Sequence, residues 1–422
     1  MIKHILTFFY IGGLTGMLAG SFFMERHMSF FYISTACAVL APLIWYLLQK
    51  KIAFASLFIN FLPFAIIFSS FLISEVIHFQ DVASFLKVVN KKSVWVIIPL
   101  AFGYAPYYSL RLEKVLLIPV LLIPMVVSAI AIYTYYFYTY IDYQPVITGE
   151  HYIKPTLIIT HFAHHSLSVM CVCAAIAAYY AMLNNNNHIE RMVLGSCCAL
   201  CIVAIHLIGS RIGIICIYVC VGIYFIWYHS YTGKYLKMYV WILVLVLASC
   251  VVVMYVVEIN FRTRIGETID ELKYLITGNY VQLDFKGNLT SRLISFSSNW
   301  TFIVENFWKG IGVNNYEQVL GAYYNKGTFA NYAERTFPPH EWYKAAITMG
   351  VPLALLYLIG FWQILFVKKY YKHGYILLVW LTVFIYSNSE TALSSTTPYY
   401  FCICMLCFAI RWSMLHKEQV AT

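Results

Sequence analysis

The sequence predicts an all-α polytopic membrane protein, with about twelve transmembrane helices and one large polar loop. Three observations predict it. Charged residues make up 11% of the chain and hydrophobic residues 61%, whereas a soluble domain carries roughly 25% charge. The mean hydropathy is +0.73. Apolar runs of about 20 residues, the length that crosses the hydrocarbon core, recur along the chain. One long stretch, from Glu258 to Glu341, breaks that pattern and carries charges of both signs.

Taken in order, the first three runs lie near 4–24, 28–48 and 52–78. The first is followed by Glu25-Arg26-His27 and at once by another apolar run, the pattern of a retained span rather than a cleaved signal. Residues 79–92, which hold Lys87, Lys91 and Lys92, are expected to lie along the membrane surface. Further runs follow near 93–110, 115–140 and 155–183, and Asn184 to Asn187 make a polar turn. Runs near 192–209, 211–228 and 238–257 complete the set before the loop. Beyond it lie 342–367, 374–389 and 395–415. The expected divisions are therefore 1–257 for transmembrane helices one to nine, 258–341 for the loop subdomain and 342–422 for the last three helices.

Lysine and arginine in the short loops set the orientation. With the N-terminus inside, the inner loops hold about twice the basic residues of the outer ones. Both termini are then cytoplasmic and the large loop lies on the other side. The cluster Lys87, Lys91 and Lys92 runs against this arrangement. The net charge of +10 reads as topology rather than nucleic-acid binding, because no basic patch with interleaved aromatics occurs. The 12 cysteines all fall in apolar runs, where cysteine acts as a small buried hydrophobe. Neither disulfides nor a metal centre is expected from their spacing.

The loop has helical patterning. Arg264 to Leu272 is amphipathic, and Arg292 to Trp308 puts Leu293, Phe296, Trp300, Ile303 and Val304 near one face. Gly310-Ile311-Gly312 ends that helix.

Several residues are candidates for chemistry. Arg211, in Gly209-Ser210-Arg211-Ile212-Gly213, sits at the outer boundary of a span. It reads either as a snorkelling charge or as an anion ligand, since guanidinium offers a planar fork that suits phosphate oxygens. Arg262, Arg264 and Arg292 could join it in a pyrophosphate clamp. His340 follows Pro338-Pro339 and opens the tenth span; histidine titrates near neutral pH, as a general base must. Glu341 could orient it, or begin a helix. His161, His164 and His165 share a helical face near the outer end of the sixth span. A polar cavity lining suits them better than a metal site, and Glu341 is a further lining candidate. Asp142, Glu150 and His151 sit nearby and could touch a sugar. No base beside Ser210 supports it as a nucleophile.

These motifs together resemble the O-antigen ligase and polymerase superfamily of bacterial envelope glycosyltransferases. The match rests on Gly209-Ser210-Arg211-Ile212-Gly213, on Thr290-Ser291-Arg292-Leu293 with Trp300 and Trp308-Lys309-Gly310-Ile311-Gly312, and on Pro339-His340-Glu341-Trp342 with Gly350-Val351-Pro352. Arg264, in Arg264-Ile265-Gly266-Glu267, matches another loop arginine. The family usually has asparagine where this chain has Glu341.

The resemblance implies a glycosyltransferase C-type fold in the bacterial inner membrane, with the loop and active site in the periplasm. It implies an undecaprenyl-pyrophosphate-linked glycan as donor and an inverting transfer without cofactor or metal. The acceptor is a lipid A-core sugar in a ligase, or the end of another lipid-linked glycan in a polymerase. Catalysis would fall to His340, Arg211 and Arg292, with Arg264 on the pyrophosphate. The rival outside enzymes is a lipid-linked sugar transporter or flippase, which would show discontinuous helices and internal repeats.

Overall fold

The computed structural model describes residues 2–22, 28–49, 54–103, 110–142, 164–208, 210–232, 299–316, 318–319, 340–389 and 396–420, together with 266, 269, 270 and 273. Every regular element among them is a helix. Before the loop these are α1 (Ile2–Phe22), α2 (Met28–Gln49), α3 (Phe54–Ile77), α4 (Val82–Lys92), α5 (Val94–Gly103), α6 (Leu110–Asp142), α7 (His164–Leu183), α8 (His188–Ile208) and α9 (Arg211–Thr232). After it come α10 (Glu341–Met349), α11 (Val351–Phe366), a 3-10 turn (Val367–Lys372), α12 (Gly374–Ser389) and α13 (Thr396–Val420). The expected span at 238–257 lies outside the described residues.

Among the described residues, two helical stretches, His165–Leu183 and His188–His206, are long and apolar enough to cross a membrane by length and composition. Eight shorter apolar helical stretches accompany them. The fold is thus all-helical as expected, while the count of about twelve spans continues to rest on hydropathy.

Packing is ordered largely by neighbours in sequence. α1 lies against α2, and α7 against α8. Lipid supplies no hydrophobic drive between helices, so close approach of small residues matters more. A Cβ on Gly13 would come within 2.8 Å of the Ser34 carbonyl oxygen, so glycine lets α1 and α2 touch there. α7 is the central helix, packed on α6, α8, α9 and α12. α3 runs beside α11, and α13 crosses α1, α5, α7 and α12.

Within residues 79–92 the structure forms a helix, α4. α4 starts at Asp81, whose carboxylate caps the helix by accepting from the Ser84 N–H at 2.8 Å. Val82 and Leu86 are exposed, while Val88 and Lys92 are buried. One basic residue of the awkward cluster therefore sits inside the protein, where it gives no topological signal.

The tenth span differs from its expected form. It is not one helix but two, α10 and α11, divided at Gly350. Gly350 has φ +79°, and a Cβ there would lie 2.7 Å from the Trp308 carbonyl oxygen. The backbone of Trp308 and Gly310, within the polar loop, occupies the space beside the break. Hydropathy is blind to this, since the apolar run continues across Gly350.

Candidate functional site

His340 is the N-cap of α10, with extended backbone at φ −159° and ψ 167°. Its Nδ1 accepts from the Tyr343 N–H at 3.4 Å, and the two rings meet edge to face at 4.7 Å. This capping contact is long for a hydrogen bond. While it persists, the neutral ring carries its proton on Nε2. Base action at Nε2 thus requires the proton to move to Nδ1 and the cap to open, which so long a contact permits at small cost.

The described segment of the polar loop around residues 307–312 is strapped to α10 and the start of α11 through the backbone. Residues 299–305 are helical and end in the turn that leads to Gly310. Ile311 N–H donates to Ile347 O at 3.0 Å, Gly312 N–H to Thr348 O at 2.8 Å, and Val351 N–H to Phe307 O at 2.8 Å. Phe302, Ile303, Tyr316 and Ile347 form a small core beneath this strap. The expected apolar face is thereby corrected: Ile303 is buried, but Trp300 and Val304 are exposed and Phe302 takes the inner position. The partner surface, Ile347 and Tyr316, decides which face turns inward.

A second set of bonds ties the same turn to the end of α3. Glu75 accepts from Val313 N–H at 3.0 Å and from the Asn314 amide at 3.4 Å. His78 faces Ser74 O at 2.8 Å through Nδ1 and Gly310 O at 3.2 Å through Nε2. The Gly310 turn is therefore held from both sides. Gly310 has φ +69°, and a Cβ would meet the Thr348 carbonyl carbon and oxygen at 2.6 Å. Gly310→Ala is expected to cost about 1–3 kcal/mol in backbone strain, because neither clashing group is a movable side chain. A lower Tm in detergent checks this.

Glu341, the first residue of α10, is 2% exposed, and Lys92, the last of α4, is 4% exposed. The Lys92 Nζ lies 4.2 Å from the Phe71 ring centroid and 5.0 Å from that of Tyr399. Burial lowers the Lys92 pKa to about 7; the Glu341 carboxylate pulls it upward, and Lys91 and Lys344 push it down. Between that value and the ordinary lysine value near 10.4, the unfolded chain binds more protons than the folded one. Stability from this group is full above the ordinary value and lost as pH falls through about 7. The Tm of the wild type relative to Lys92→Met is accordingly expected to rise between about pH 7 and pH 10. A constant difference would show that burial does not penalise the ammonium.

The helix ends fall into a common place. A Cβ on Gly213, in the first turn of α9, would lie 3.1 Å from the Ser168 hydroxyl in the first turns of α7. Ser166 meets the Tyr386 hydroxyl near the end of α12 at 2.8 Å. α9 and α12 run antiparallel, with Cys216 facing Thr382 O and Cys220 facing Leu378 O. Trp342, beside His340 and Glu341, packs on Phe384 of α12 at 6.2 Å between ring centroids. The starts of α7, α9 and α10 and the end of α12 thus share one end of the bundle.

Of the predicted residues, Arg211 begins α9 and His164 begins α7 at that end. His165, beside it, is half-buried. His340 and Glu341 begin α10 there too. Arg264, Arg292 and His161 lie outside the described residues, as do Arg262, Glu150 and His151. Sequence reasoning did not single out Lys92 as more than a topological charge, nor Glu75 and His78 at all. A lysine closing an amphipathic helix and a Glu-x-x-His at the end of a span were the available signals.

No curated protein matched the chain. Residues 196–358 match the family described as O-Antigen ligase. The matched segment includes α9, the polar loop, α10 and about half of α11, and so covers both the Arg211 and the His340 motifs. The match over residues 196–358 supports the resemblance of this part of the chain to the O-antigen ligase superfamily.

Proposed function

We propose that this protein is an O-antigen ligase that transfers a glycan from undecaprenyl pyrophosphate to a hydroxyl of a lipid A-core sugar at the periplasmic face of the inner membrane. One observation carries the reading. A single family match spans Arg211, Arg264, Arg292 and His340, and the helices that begin at Arg211 and next to His340 start at the same end of the bundle.

In this mechanism the acceptor oxygen attacks the anomeric carbon of the donor sugar. The new carbon–oxygen bond forms as the bond to pyrophosphate breaks, with inversion. His340 takes the acceptor's proton as general base. The bonding electrons leave with undecaprenyl pyrophosphate, and Arg211 and Arg292, with Arg264, offset the growing charge. Arginine suits this task because its fork binds phosphate oxygens bidentately and stays charged. His165 and its helical neighbours would line the acceptor side.

The test is transfer by purified protein between a lipid-linked donor and lipid A-core acceptor. Transfer that persists in chelator is expected. Loss in chelator, restored by a divalent ion, would remove the arginine-only account of the leaving group. Extension of the lipid-linked glycan without modification of lipid A-core would instead identify the polymerase. A transporter of lipid-linked sugars also favours a discontinuous span, as seen at Gly350, but it would leave His340 dispensable for transfer.

A further inference from the structure

The ring of His78, just beyond the end of α3, lies between two carbonyl oxygens. Its Nδ1 is 2.8 Å from Ser74 O, and its Nε2 is 3.2 Å from Gly310 O in the polar loop. Both distances are within hydrogen-bond range. A carbonyl oxygen only accepts, so each contact needs an N–H on the ring. Neutral imidazole has one N–H and one lone pair, and only imidazolium has two N–H groups. Either neutral tautomer would set a nitrogen lone pair against a carbonyl oxygen. His206 shows the contrast. Its Nδ1 faces Ile202 O at 2.8 Å and its Nε2 faces the Tyr218 hydroxyl at 2.8 Å. A hydroxyl can donate, so a neutral ring satisfies both contacts there.

The bond to Gly310 is one of several that dock the same turn. Glu75 accepts from the Val313 N–H and the Asn314 amide. The Asn314 amide also donates to Ser84 O at 2.9 Å, and the Gln80 amide donates to Asn315 Oδ1 at 3.0 Å. Gly312 has φ +84°, and a Cβ there would come within 3.1 Å of the His78 Cβ and Cγ, so the turn lies against the histidine itself. On its other side the turn donates to α10 through the Ile311 and Gly312 N–H groups.

The charged groups around the ring are few. The Glu75 carboxylate, three residues earlier, is within electrostatic reach of it. Residues 310–315 carry no ionisable side chain, and neither do 347–351 opposite them. Asp81 caps α4, and Lys87, Lys91 and Lys309 are exposed. Lys344 of α10 lies over the Tyr316 ring, 4.8 Å from its centroid. His78 is half-buried, so water can exchange protons with it.

We propose that His78 is a proton-operated latch. As imidazolium it bridges Ser74 O and Gly310 O and docks the 310–315 turn of the polar loop on the end of α3; on losing a proton it gives up one of the two bonds and the turn loosens. Because the same turn donates to Ile347 O and Thr348 O, the latch also sets how firmly the loop holds the break at Gly350. The inference goes beyond the proposed transfer reaction and does not depend on it, since His78 has no part in that chemistry.

The test is hydrogen exchange read by mass spectrometry on the full-length protein in detergent, with rates corrected for the intrinsic effect of pH. Peptides covering 310–315 are expected to lose about tenfold or more of their protection as pH rises from about 5.5 to about 8, the range over which histidine titrates and a charge-assisted bond is lost. In His78→Gln the amide can donate to Gly310 O at any pH, so protection there should change by less than about twofold. Peptides of α12 control for global loosening. Equal protection of the wild-type turn at both ends of the range would overturn the proposal, as would a loss that α12 or His78→Gln shares in full. Lys92 cannot mimic the loss, because its burial favours the folded protein as pH rises. The comparison of wild type with itself across pH stands even if the variant fails to fold.

A second readout is the ring. NMR of protein carrying nitrogen-labelled histidine, compared with His78→Gln, identifies the His78 signals. At about pH 5.5 both ring nitrogens should carry a proton. One protonated and one bare nitrogen there, with the turn still protected, would overturn the latch.

Discussion

His340→Ala is expected to reduce glycan transfer by about 10²–10⁴-fold, the range over which a positioned general base contributes. The donor KM should move little, since the imidazole acts on the acceptor proton. His340 also caps α10, so alanine removes two roles at once, and loss of a side-chain cap costs about 1 kcal/mol. His340→Asn separates them. Asparagine is a favoured N-cap and its carbonyl can accept from the Tyr343 N–H, but it cannot serve as a base. The asparagine variant should recover thermal stability and remain inactive. Recovery of activity along with stability would show that the histidine serves the helix and not the reaction.

Arg211→Ala and Arg292→Ala are each expected to lower kcat on the order of a hundredfold or more, the cost of removing one donor from a developing anion. Arg211→Lys is the sharper variant. It keeps the charge and loses the planar fork, so it should recover only part of the rate if two phosphate oxygens are held together. Full recovery in the lysine variant would indicate a point charge at the membrane boundary. Activity of Arg211→Ala close to that of wild type would reduce Arg211 to a snorkelling cation. The steady-state split between kcat and KM measures which state of the donor the arginine serves.

Much of the fold was legible because hydropathy and helix propensity are local. The apolar runs at 4–24, 28–48 and 374–389 correspond to α1, α2 and α12 with ends that differ by a few residues. The segment 79–92, set apart from the spans on hydropathy, contains the short helix α4. Around the candidate site, local turns were legible. Pro-Pro-His before an apolar run marked the start of α10, and Gly310-Ile311-Gly312 marked the turn that the loop makes against it. The inner face of residues 299–305 was misjudged because both sides carry apolar residues, so periodicity alone could not rank them.

Sequence by itself determined that the chain is helical and apolar and where several of its turns and caps fall. These properties depend on residues within a turn or two of each other. Tertiary structure alone decided that Lys92 is an interior residue flanked by Phe71 and Tyr399 and that Gly350 interrupts a span where the Trp308 carbonyl packs against it. It also brought the first turns of α7, α9 and α10 to one end of the bundle. Those outcomes join positions far apart in the chain. They arise from the need of each buried charge, carbonyl and N–H to find a partner where water is absent, and no local pattern encodes which partner that will be.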